Sequence, residues 1–366
     1  MKILLCFGTR PEAIKMAPIL HELKDKNILH CICVTAQHRE MLDQVLEFFK
    51  IIPDYDLNIM SKGQSLNLLS SKIFEEIDLV LEKEKPELIL LQGDTTTAAI
   101  ASMAAFHRKI KVGHVEAGLR TYDASAPFPE EINRQIIARI TDYHFVPTPA
   151  AAKNLISEGI PENKIFLTGN TVVDALLWGI KKVNESISCK EINELEKIID
   201  PSKKIVLVTG HRRENFGTGL KEICQGLLEI SQKESIQLIF PVHLNPIVKD
   251  TVHELLSGQE NIHLINPLPY PAMLWLMQQS HLIISDSGGI QEEAPTFLKP
   301  VLVTRKTTER MEGVDAGFSF MVGTNKNKLI SKAFELLKMP PDYSNKKNPY
   351  GDGKAAEKIV RLITSS

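Results

Sequence analysis

The chain has 366 residues, and its 43 lysines and arginines against 45 aspartates and glutamates give a formal net charge of −2. This balance offers no basic surface for nucleic acid, and no apolar run reaches the length of a membrane span. The length is sufficient for two domains with separate hydrophobic cores.

The cysteines show no paired framework, and most of them lie in apolar runs, where cysteine behaves as a small buried hydrophobe. They are Cys6, Cys31, Cys33, Cys189 and Cys224. The C-x-C pattern at Cys31 and Cys33 lacks the further ligands that a metal site needs. The first eight residues are too short for a signal peptide and read as a strand. We therefore expect a reduced, cytoplasmic protein without a metal site.

Short apolar runs alternate with helix-length amphipathic segments along the whole chain. The runs lack polar alternation, which is typical of parallel strands covered on both faces. The predicted strands are Ile3–Phe7, Cys31–Thr35, Leu88–Leu91, Val112–Val115, His144–Val146, Ile165–Leu167, Ile205–Val208, Gln237–Phe240, His263–Ile265, Leu282–Ser285, Val301–Val303 and Phe320–Val322. The predicted helices include Ala13–Leu23, Ser65–Glu84, Thr96–Phe106, Glu131–Thr141, Thr171–Val183 and Lys354–Thr364. The pattern predicts an α/β fold of two Rossmann-like, doubly wound domains that face a cleft.

Two polar segments interrupt this pattern. Lys181–Lys204 is charged and has no strand signal, and Met339–Gly353 is rich in proline, asparagine, lysine and glycine. Such compositions mark loops and linkers. We therefore predict a break between the two domains at the first segment and a second break before the last helix.

Acidic residues follow the predicted strands of the first half, where doubly wound sheets bind their ligands. Asp94 is either a helix cap or a cleft carboxylate, and the cap is favoured when the residue is taken alone. Glu116 leaves a buried strand into a small-residue loop, which suits chemistry better than structure. Glu130 and Glu131 open a helix, where the helix dipole alone would explain them. Together they predict an acidic cluster in the first domain.

Basic residues follow several other strands. Arg10 and Lys15 come after the first strand and would face an anion in the cleft, although a solvated helix start is favoured for Lys15 alone. In the second half, His211 precedes two arginines at a glycine turn, a setting that indicates a phosphate contact. His243 and Arg310 also follow strands, and Arg310 would meet phosphate in the same way.

The string SDSGGIQEEAP follows an apolar run of the second half and predicts a strand, a tight turn and a helix start. Gly288 and Gly289 allow a ligand to approach the backbone, and helix N-terminal N–H groups attract phosphate. Ser287 adds a hydroxyl donor, and Glu292 or Glu293 can accept the hydroxyls of a ribose. A capped helix start explains the same residues without a ligand. Taken alone, the stretch supports both interpretations equally.

In these motifs the chain resembles the non-hydrolysing UDP-N-acetylglucosamine 2-epimerases over nearly its whole length. The matching segments are GTRPEAIKMAP at Gly8–Pro18, TAQHREMLDQVL at Thr35–Leu46, GDTTT at Gly93–Thr97, GHVEAGLRT at Gly113–Thr121, PEEINR at Pro129–Arg134, GNTVVDAL at Gly169–Leu176, TGHRRENFG at Thr209–Gly217, PVHLNP at Pro241–Pro246, SDSGGIQEEAP at Ser285–Pro295, TTER at Thr307–Arg310 and NPYGDGKA at Asn348–Ala355. The family usually has a proline where Met311 stands here. Its loss removes a constraint on backbone φ, so we expect nucleotide binding to survive with a looser loop.

The resemblance implies a glycosyltransferase-B type fold and a homodimer. The first domain would comprise residues 1–170, completed by a C-terminal helix within 350–366, and the second would comprise 171–349. Members interconvert UDP-N-acetylglucosamine and UDP-N-acetylmannosamine, usually for cell-envelope polysaccharides. They eliminate UDP across C1 and C2 to give 2-acetamidoglucal, and UDP then adds back with a proton on the other face of C2. This chemistry requires neither a metal nor a nicotinamide cofactor.

Residue roles carry over by motif. Asp94, Glu116 and Glu130 would be the acid, base and cation-stabilising carboxylates, with their faces of C2 unassigned, and His211 would stabilise the leaving diphosphate or a sugar hydroxyl. The residues that would hold UDP are Arg10, Lys15, Ser287, Gly288, Gly289, Arg310 and, on the ribose, Glu293. In some bacterial members a second UDP-N-acetylglucosamine acts as an activator. The segments similar to that activator region carry Gln37, His38, Arg39, Gln44 and His243.

Three other functions compete with this one. A hydrolysing 2-epimerase would release N-acetylmannosamine and UDP, but its relatives usually differ in the first loop, where this chain has GTRPE. A glycosyltransferase can share the fold, yet it would not need three acids facing C1 and C2. A non-catalytic nucleotide-sugar sensor would not need them either.

Overall fold

The structure, a computed structural model, describes residues 1–36, 39–61, 63–186 and 189–365. Within these ranges the strands are β1 (Ile3–Phe7), β2 (His30–Val34), β3 (Tyr55–Asp56), β4 (Leu88–Gln92), β5 (Lys111–Val115), β6 (Tyr143–Val146), β7 (Ile165–Leu167), β8 (Lys204–Thr209), β9 (Ile236–Pro241), β10 (Ile262–Ile265), β11 (Leu282–Ser285), β12 (Val301–Val303) and β13 (Ser319–Met321). The α-helices are α1 (Arg10–Asp25), α2 (Arg39–Phe48), α3 (Leu66–Glu84), α4 (Thr96–His107), α5 (Glu130–Ile140), α6 (Pro149–Ser157), α7 (Thr171–Ser186), α8 (Lys190–Ile198), α9 (Thr218–Ser231), α10 (Pro246–Leu256), α11 (Tyr270–Gln279), α12 (Gly288–Glu293), α13 (Met311–Asp315), α14 (Lys326–Lys338) and α15 (Ala355–Thr364).

The strands form two sheets in which the described pairings are parallel. The first sheet has the order β3-β2-β1-β4-β5-β6-β7, and the second has the order β10-β9-β8-β11-β12-β13. The strand order reverses between β1 and β4 in the first sheet and between β8 and β11 in the second. At such a reversal the loops diverge on either side, and a crevice opens at the carboxyl ends of the strands. The predicted α/β class with two parallel-sheet domains is confirmed.

Two compact units make up the chain. The first comprises Met1–Ala175 and Tyr350–Ser366, and the second comprises Leu176–Pro349. In the first unit α15 packs against α1 and buries one face, which includes Ile359. The carboxylate of Asp174 accepts hydrogen bonds from the first backbone N–H groups of α15, at 3.2 and 2.9 Å. These bonds satisfy donors that a helix start leaves without an internal partner.

One sequence prediction about the fold was wrong, and one strand was missed. The predicted break at Lys181–Lys204 holds the end of α7 and all of α8, which buries Ile192 and Leu195 on one face. Charged residues dominate its composition because the other face is exposed to solvent. The short strand β3 was not predicted, since its two residues pair with the end of β2 without forming an apolar run.

The cysteines predicted to be small buried hydrophobes are buried and free of disulfide bonds. None of the helices in the described ranges combines the length and the apolar composition that crossing a bilayer requires.

Replacement of Ile359 by alanine tests the contribution of α15 to the first unit. Ile359 is fully buried, and deleting buried methylene groups typically costs about 2–5 kcal/mol because a cavity remains. We expect Ile359→Ala to lower the free energy of unfolding of the first unit by that amount in urea denaturation. Hydrogen exchange should rise in the first unit and remain unchanged in the second.

The matched control is Arg361→Ala, which alters an exposed position of the same helix. It should change the free energy of unfolding by less than about 0.5 kcal/mol. Equal effects of the two substitutions would show that α15 does not belong to the cooperative core of the first unit.

Candidate active site

A buried carboxylate bridges the reversal point of the first sheet. Oε2 of Glu12 accepts hydrogen bonds from the backbone N–H groups of Gly8 and Thr9 and from the Thr9 hydroxyl, at 3.0, 2.8 and 2.8 Å. Its Oε1 accepts from the hydroxyl of Thr95, at 2.7 Å. Burial raises the pKa of Glu12, although these hydrogen bonds oppose the shift. The side chain therefore ties the loop after β1 to the turn after β4.

Asp94 lies in that second turn and is not the helix cap. Thr95 caps α4 instead, because its hydroxyl accepts a hydrogen bond from the N–H of Ala98. Oδ2 of Asp94 accepts from Nε and Nη2 of Arg134, at 2.9 and 2.6 Å. The Asp94 carbonyl accepts from the Asn133 amide, at 2.8 Å. The carboxylate is thus held through one oxygen while its side chain keeps 27% exposure.

Glu116 leaves β5 with a left-handed backbone, at φ 66°. For a residue with a β-carbon this conformation costs energy, and such residues concentrate at functional sites. Its side chain is only 7% exposed and forms an ion pair with Lys15 of α1. Gln92 Nε2 donates to the same carboxylate at 3.1 Å. The structure therefore brings together Glu116 and Lys15, two predicted site residues, as a buried pair.

The two acids at the start of α5 have different environments. Glu131 is fully buried, and its carboxylate accepts from the N–H groups of Thr121 and Tyr122, at 2.9 and 3.2 Å. It also accepts from Nη1 of Arg134, at 3.2 Å. Glu130 differs, because its Oε2 is buried yet no group in the described part of the chain donates a hydrogen bond to it. Glu131 thus anchors the loop, whereas Glu130 contributes no such bond through its buried Oε2.

The other predicted residues of the first unit have varied positions. Arg10 is the half-buried first residue of α1. Gln44 is exposed on α2. Gln37 and His38 lie outside the described residues.

A second buried carboxylate, Asp286, bridges the reversal point of the second sheet. Its Oδ2 accepts from the backbone N–H groups of His211 and Arg212, at 2.9 and 2.8 Å, and lies 3.3 Å from the amide nitrogen of Asn215. That amide also donates to the carbonyl of Thr304, at 3.0 Å. Asp286 follows β11 and the two N–H groups follow β8, so the bonds join loops from both sides of the reversal.

His211 is held at this crevice by its neighbours. Its Nδ1 lies 3.4 Å from Oδ1 of Asp286, and its ring stacks on His243 with centroids 5.4 Å apart. Burial lowers the pKa of His211, with Asp286 opposing the shift and Arg212 adding to it. The shift favours the neutral form of the imidazole.

The turn after β11 contains two glycines, Gly288 and Gly289, which have different surroundings. The hydroxyl of Ser287 caps α12 by accepting from the Ile290 N–H. A β-carbon on Gly288 would come within 3.1 Å of the Arg310 guanidinium carbon, whereas one on Gly289 would meet nothing closer than the Ser287 hydroxyl, at 3.7 Å. A side chain at position 288 would thus crowd the arginine, whereas Gly289 leaves an exposed backbone that a ligand can approach.

Arg310 is fixed by acids on both sides. Its Nε donates to Glu292 Oε1 at 2.9 Å, and its guanidinium also contacts Glu309. Arg305 donates to Glu309 at 3.0 Å and to Glu214 at 2.8 Å. Burial alone would raise the pKa of Glu309, but the two arginines outweigh it and lower the pKa to about 2. This network holds the guanidinium against the glycine turn.

The contacts of Arg310 distinguish Glu292 from Glu293, the two acids that the sequence offered for the ribose. Glu292 is 2% exposed and directed at Arg310, whereas Glu293 at the end of α12 is half-buried. The arrangement is compatible with Glu293, the residue predicted from the sequence.

The family model of UDP-N-acetylglucosamine 2-epimerases matches residues 21–364. The chain belongs to this 2-epimerase family. It is 50% identical to the UDP-N-acetylglucosamine 2-epimerase of Escherichia coli K12, over 100% of this chain and 99% of that protein. The crystal structure of the enzyme from Neisseria meningitidis bound to UDP-GlcNAc has a TM-score of 0.93 and 47% identity, with both chains covered completely.

A more distant 2-epimerase has the same architecture. The crystal structure of the enzyme from Methanocaldococcus jannaschii in complex with UDP-GlcNAc and UDP gives a TM-score of 0.86 at 38% identity, again over 100% of both chains. The family predicted from the motifs is therefore confirmed, and so is its two-domain Rossmann-like fold.

Three structural anchors of this 2-epimerase site were not predicted from the sequence. Glu12 carried a readable signal, because Thr9 and Glu12 form the T-x-x-E pattern of a capping box. Arg134 and Asp286 carried none, since their partners lie 40 and 75 residues away along the chain. Among the described residues, no three histidine, cysteine, aspartate or glutamate side chains converge as metal ligands would.

Glu309→Gln tests the charge network around Arg310. Glu309 has a depressed pKa in the folded state, so its ionised form stabilises the protein above the unfolded pKa of about 4.3. We expect the variant to lower the free energy of unfolding by about 3 kcal/mol at pH 7. The difference from the parent protein should shrink as the pH falls from about 4.3 towards 2, as urea denaturation at several pH values would measure.

The control is Glu254→Gln at an exposed position of α10. It should leave the free energy of unfolding within about 0.5 kcal/mol of the parent value. A Glu309→Gln effect that persisted undiminished at pH 3 would contradict the assigned charge interaction.

Proposed function

We propose that the protein catalyses the reversible epimerisation of UDP-N-acetylglucosamine at C2, without hydrolysis, and supplies UDP-N-acetylmannosamine for cell-envelope polysaccharide. The observation that carries the proposal is the set of three carboxylates, Asp94, Glu116 and Glu130, in a chain that belongs to the 2-epimerase family. Asp94 and Glu116 follow neighbouring strands β4 and β5, and Glu130 opens α5.

The chemistry explains why several acids are needed. The hydrogen on C2 is not next to a carbonyl, so its removal must be coupled to loss of a leaving group. A base takes the C2 proton, the C1–O bond breaks, and UDP leaves with the bonding electrons to give 2-acetamidoglucal. Protonation of C2 on the opposite face and return of UDP to C1 then give the epimer. Each proton transfer requires a positioned side chain, and the charge at C1 requires stabilisation.

The environments of the carboxylates support these roles. Arg134 and Lys15 hold Asp94 and Glu116 in place through ion pairs. Glu130 keeps a buried oxygen without a hydrogen-bond donor in the described part of the chain. A substrate hydroxyl or amide would supply the missing donor.

The second unit supports the assignment of the nucleotide. Gly289 leaves an approachable backbone, and the Arg310 guanidinium is already fixed against the turn. Arginine binds phosphate through paired N–H groups. We assign the diphosphate to Ser287, Gly288, Gly289 and Arg310, with Arg10, Lys15 and His211 as further contacts, and the ribose to Glu293. The same proposal includes a homodimer and an activating second UDP-N-acetylglucosamine at Gln37, His38, Gln44 and His243.

A hydrolysing 2-epimerase is the second candidate, because water could capture C1 of the same intermediate. The first loop favours the non-hydrolysing enzyme, since hydrolysing relatives usually differ from the GTRPE sequence that this chain has there.

Deuterium incorporation distinguishes these reactions. The protein is incubated with UDP-N-acetylglucosamine in deuterated water and the sugar protons are followed by NMR. Because C2 is deprotonated and reprotonated, we expect deuterium at C2 in both epimers while free UDP does not accumulate. Stoichiometric UDP with free N-acetylmannosamine would identify the hydrolysing enzyme instead. An unchanged sugar that reacts only after an acceptor is added would identify a glycosyltransferase.

Isosteric substitutions test the three carboxylates. Asp94→Asn, Glu116→Gln and Glu130→Gln should each lower kcat by about 100-fold or more, because each removes a group for proton transfer or charge stabilisation. The Kd for UDP, measured by calorimetry, should change by less than about threefold, which corresponds to about 0.65 kcal/mol.

The matched control is Glu22→Gln, a carboxylate near the C-terminal end of α1 that pairs with Lys26. It should retain the parent kcat. Near-parent turnover in any one of the three variants removes that residue from the mechanism.

A further inference from the structure

The turn that carries Asp94 is held by a histidine to which the chemistry assigns no role. His114 lies on β5 and is 1% exposed. Its Nε2 lies 2.7 Å from the carbonyl oxygen of Gly93, the residue before Asp94. The N–H of Gly93 donates to the carbonyl of Val115 at 3.0 Å. Both polar groups of the Gly93 backbone are therefore bound by β5, the strand that Glu116 follows.

The protonation state of this histidine is defined by its surroundings. Burial lowers the pKa of His114 to about 4, with the hydrogen bond to Gly93 opposing the shift. The ring is therefore neutral at pH 7. A carbonyl oxygen only accepts, so the single ring proton must be on Nε2. Nδ1 is buried and has no hydrogen-bond partner in the described part of the chain.

A buried histidine ring with a nitrogen that has no described partner is an unfavourable way to fill a core. Burying a polar atom without a partner is unfavourable, and an apolar side chain of similar volume would avoid that cost. The hydrogen bond to Gly93 is the one polar contact of the ring that the structure describes. This hydrogen bond constrains Gly93, whose backbone φ is 72°. Glycine has more backbone freedom than any other residue.

The rest of the turn is held from the opposite side. Asn133 binds the carbonyl of Asp94, and Arg134 binds its carboxylate. Both residues belong to α5, so they do not fix the turn relative to β5. The contact from His114 adds a second bond to the one between the Gly93 N–H and the Val115 carbonyl, so that β5, which Glu116 follows, holds both polar groups of the residue before Asp94.

We propose that His114 is a positioning residue, which holds the Gly93 carbonyl and thereby fixes the Asp94 carboxylate relative to Glu116. The inference rests on the proposed function, in which both acids act on the sugar. Small displacements of a reacting group reduce kcat strongly while the binding of distant parts of the substrate is retained. The proposal therefore predicts a loss in kcat with little change in the affinity for UDP.

A neighbouring histidine provides the matched control. His144 on β6 is the register partner of His114 and is fully buried. Burial likewise lowers its pKa, to about 3. None of the hydrogen bonds described for the protein joins its ring to the Gly93 turn. Substitutions at the two positions disturb similar core environments but only one of them releases the turn.

The experiment compares His114→Leu, His114→Gln and His144→Leu by steady-state kinetics with UDP-N-acetylglucosamine and by UDP calorimetry. His114→Leu should lower kcat by about 10- to 100-fold and leave the Kd for UDP unchanged. His114→Gln retains a terminal N–H donor and should restore most of the lost kcat. His144→Leu should leave kcat at the parent value. If leucine at 114 prevents folding, His114→Asn, whose amide is too short, replaces it in the comparison.

The outcomes separate this inference from the proposed function. If the parent protein and His144→Leu exchange deuterium into C2 and His114→Leu does so equally fast, the positioning role is overturned while the epimerase remains. A loss in His114→Leu that glutamine does not rescue, or that His144→Leu matches, also overturns it. If the parent protein itself fails to exchange deuterium, the proposed function fails. The hydrogen bond to Gly93 is then tested by the NMR signal of the Nε2 proton, which should be protected from exchange.

Discussion

One constraint recurs at both reversal points: a buried carboxylate crosses from one diverging loop to the other. Glu12 does so between the loops after β1 and β4, and Asp286 does so between the loops after β11 and β8. Doubly wound sheets open a crevice at these positions because neighbouring connections run to opposite faces. A crevice of free loops would not hold ligand groups in place. The carboxylates collect backbone N–H and hydroxyl donors that the strand ends leave without partners, and so make the loops rigid.

This anchoring divides the acids of the first unit into two classes. The carboxylate oxygens of Glu12 and Glu131 each accept several hydrogen bonds from other groups of the protein. Asp94 is held through one oxygen, and Glu130 retains a buried oxygen without a donor in the described part of the chain. Carboxylates of the first class position the loops, and those of the second can meet a substrate. Sequence neighbours such as Glu130 and Glu131 therefore serve different purposes.

The strands and most helices could be predicted because burial between two helical layers leaves continuous apolar runs. The prediction failed where that signal is weak. The two residues of β3 are partly exposed, and the exposed face of α8 has the charged composition that is typical of a linker. The candidate site could be predicted as residues at strand ends and from motifs. The partners of those residues could not, because Arg134 and Asp286 act on loops far away along the chain. The capping role of Thr95 was also hidden, since Asp94 beside it is an equally good cap by residue type.

The proposed reaction explains why so much of the structure immobilises a few atoms. Removal of an unactivated C2 proton gains little from the acidity of the substrate, so the barrier must fall through the placement of base, acid and leaving-group contacts. Two of the three proposed carboxylates are accordingly supported by different elements. Arg134 of α5 holds Asp94, and Lys15 of α1 pairs with Glu116. Since Glu116 also has a left-handed backbone, the fold maintains its orientation against a local conformational cost. Under the proposed reaction that cost is acceptable, because a carboxylate displaced from the reacting carbons would leave the sugar bound and unreacted.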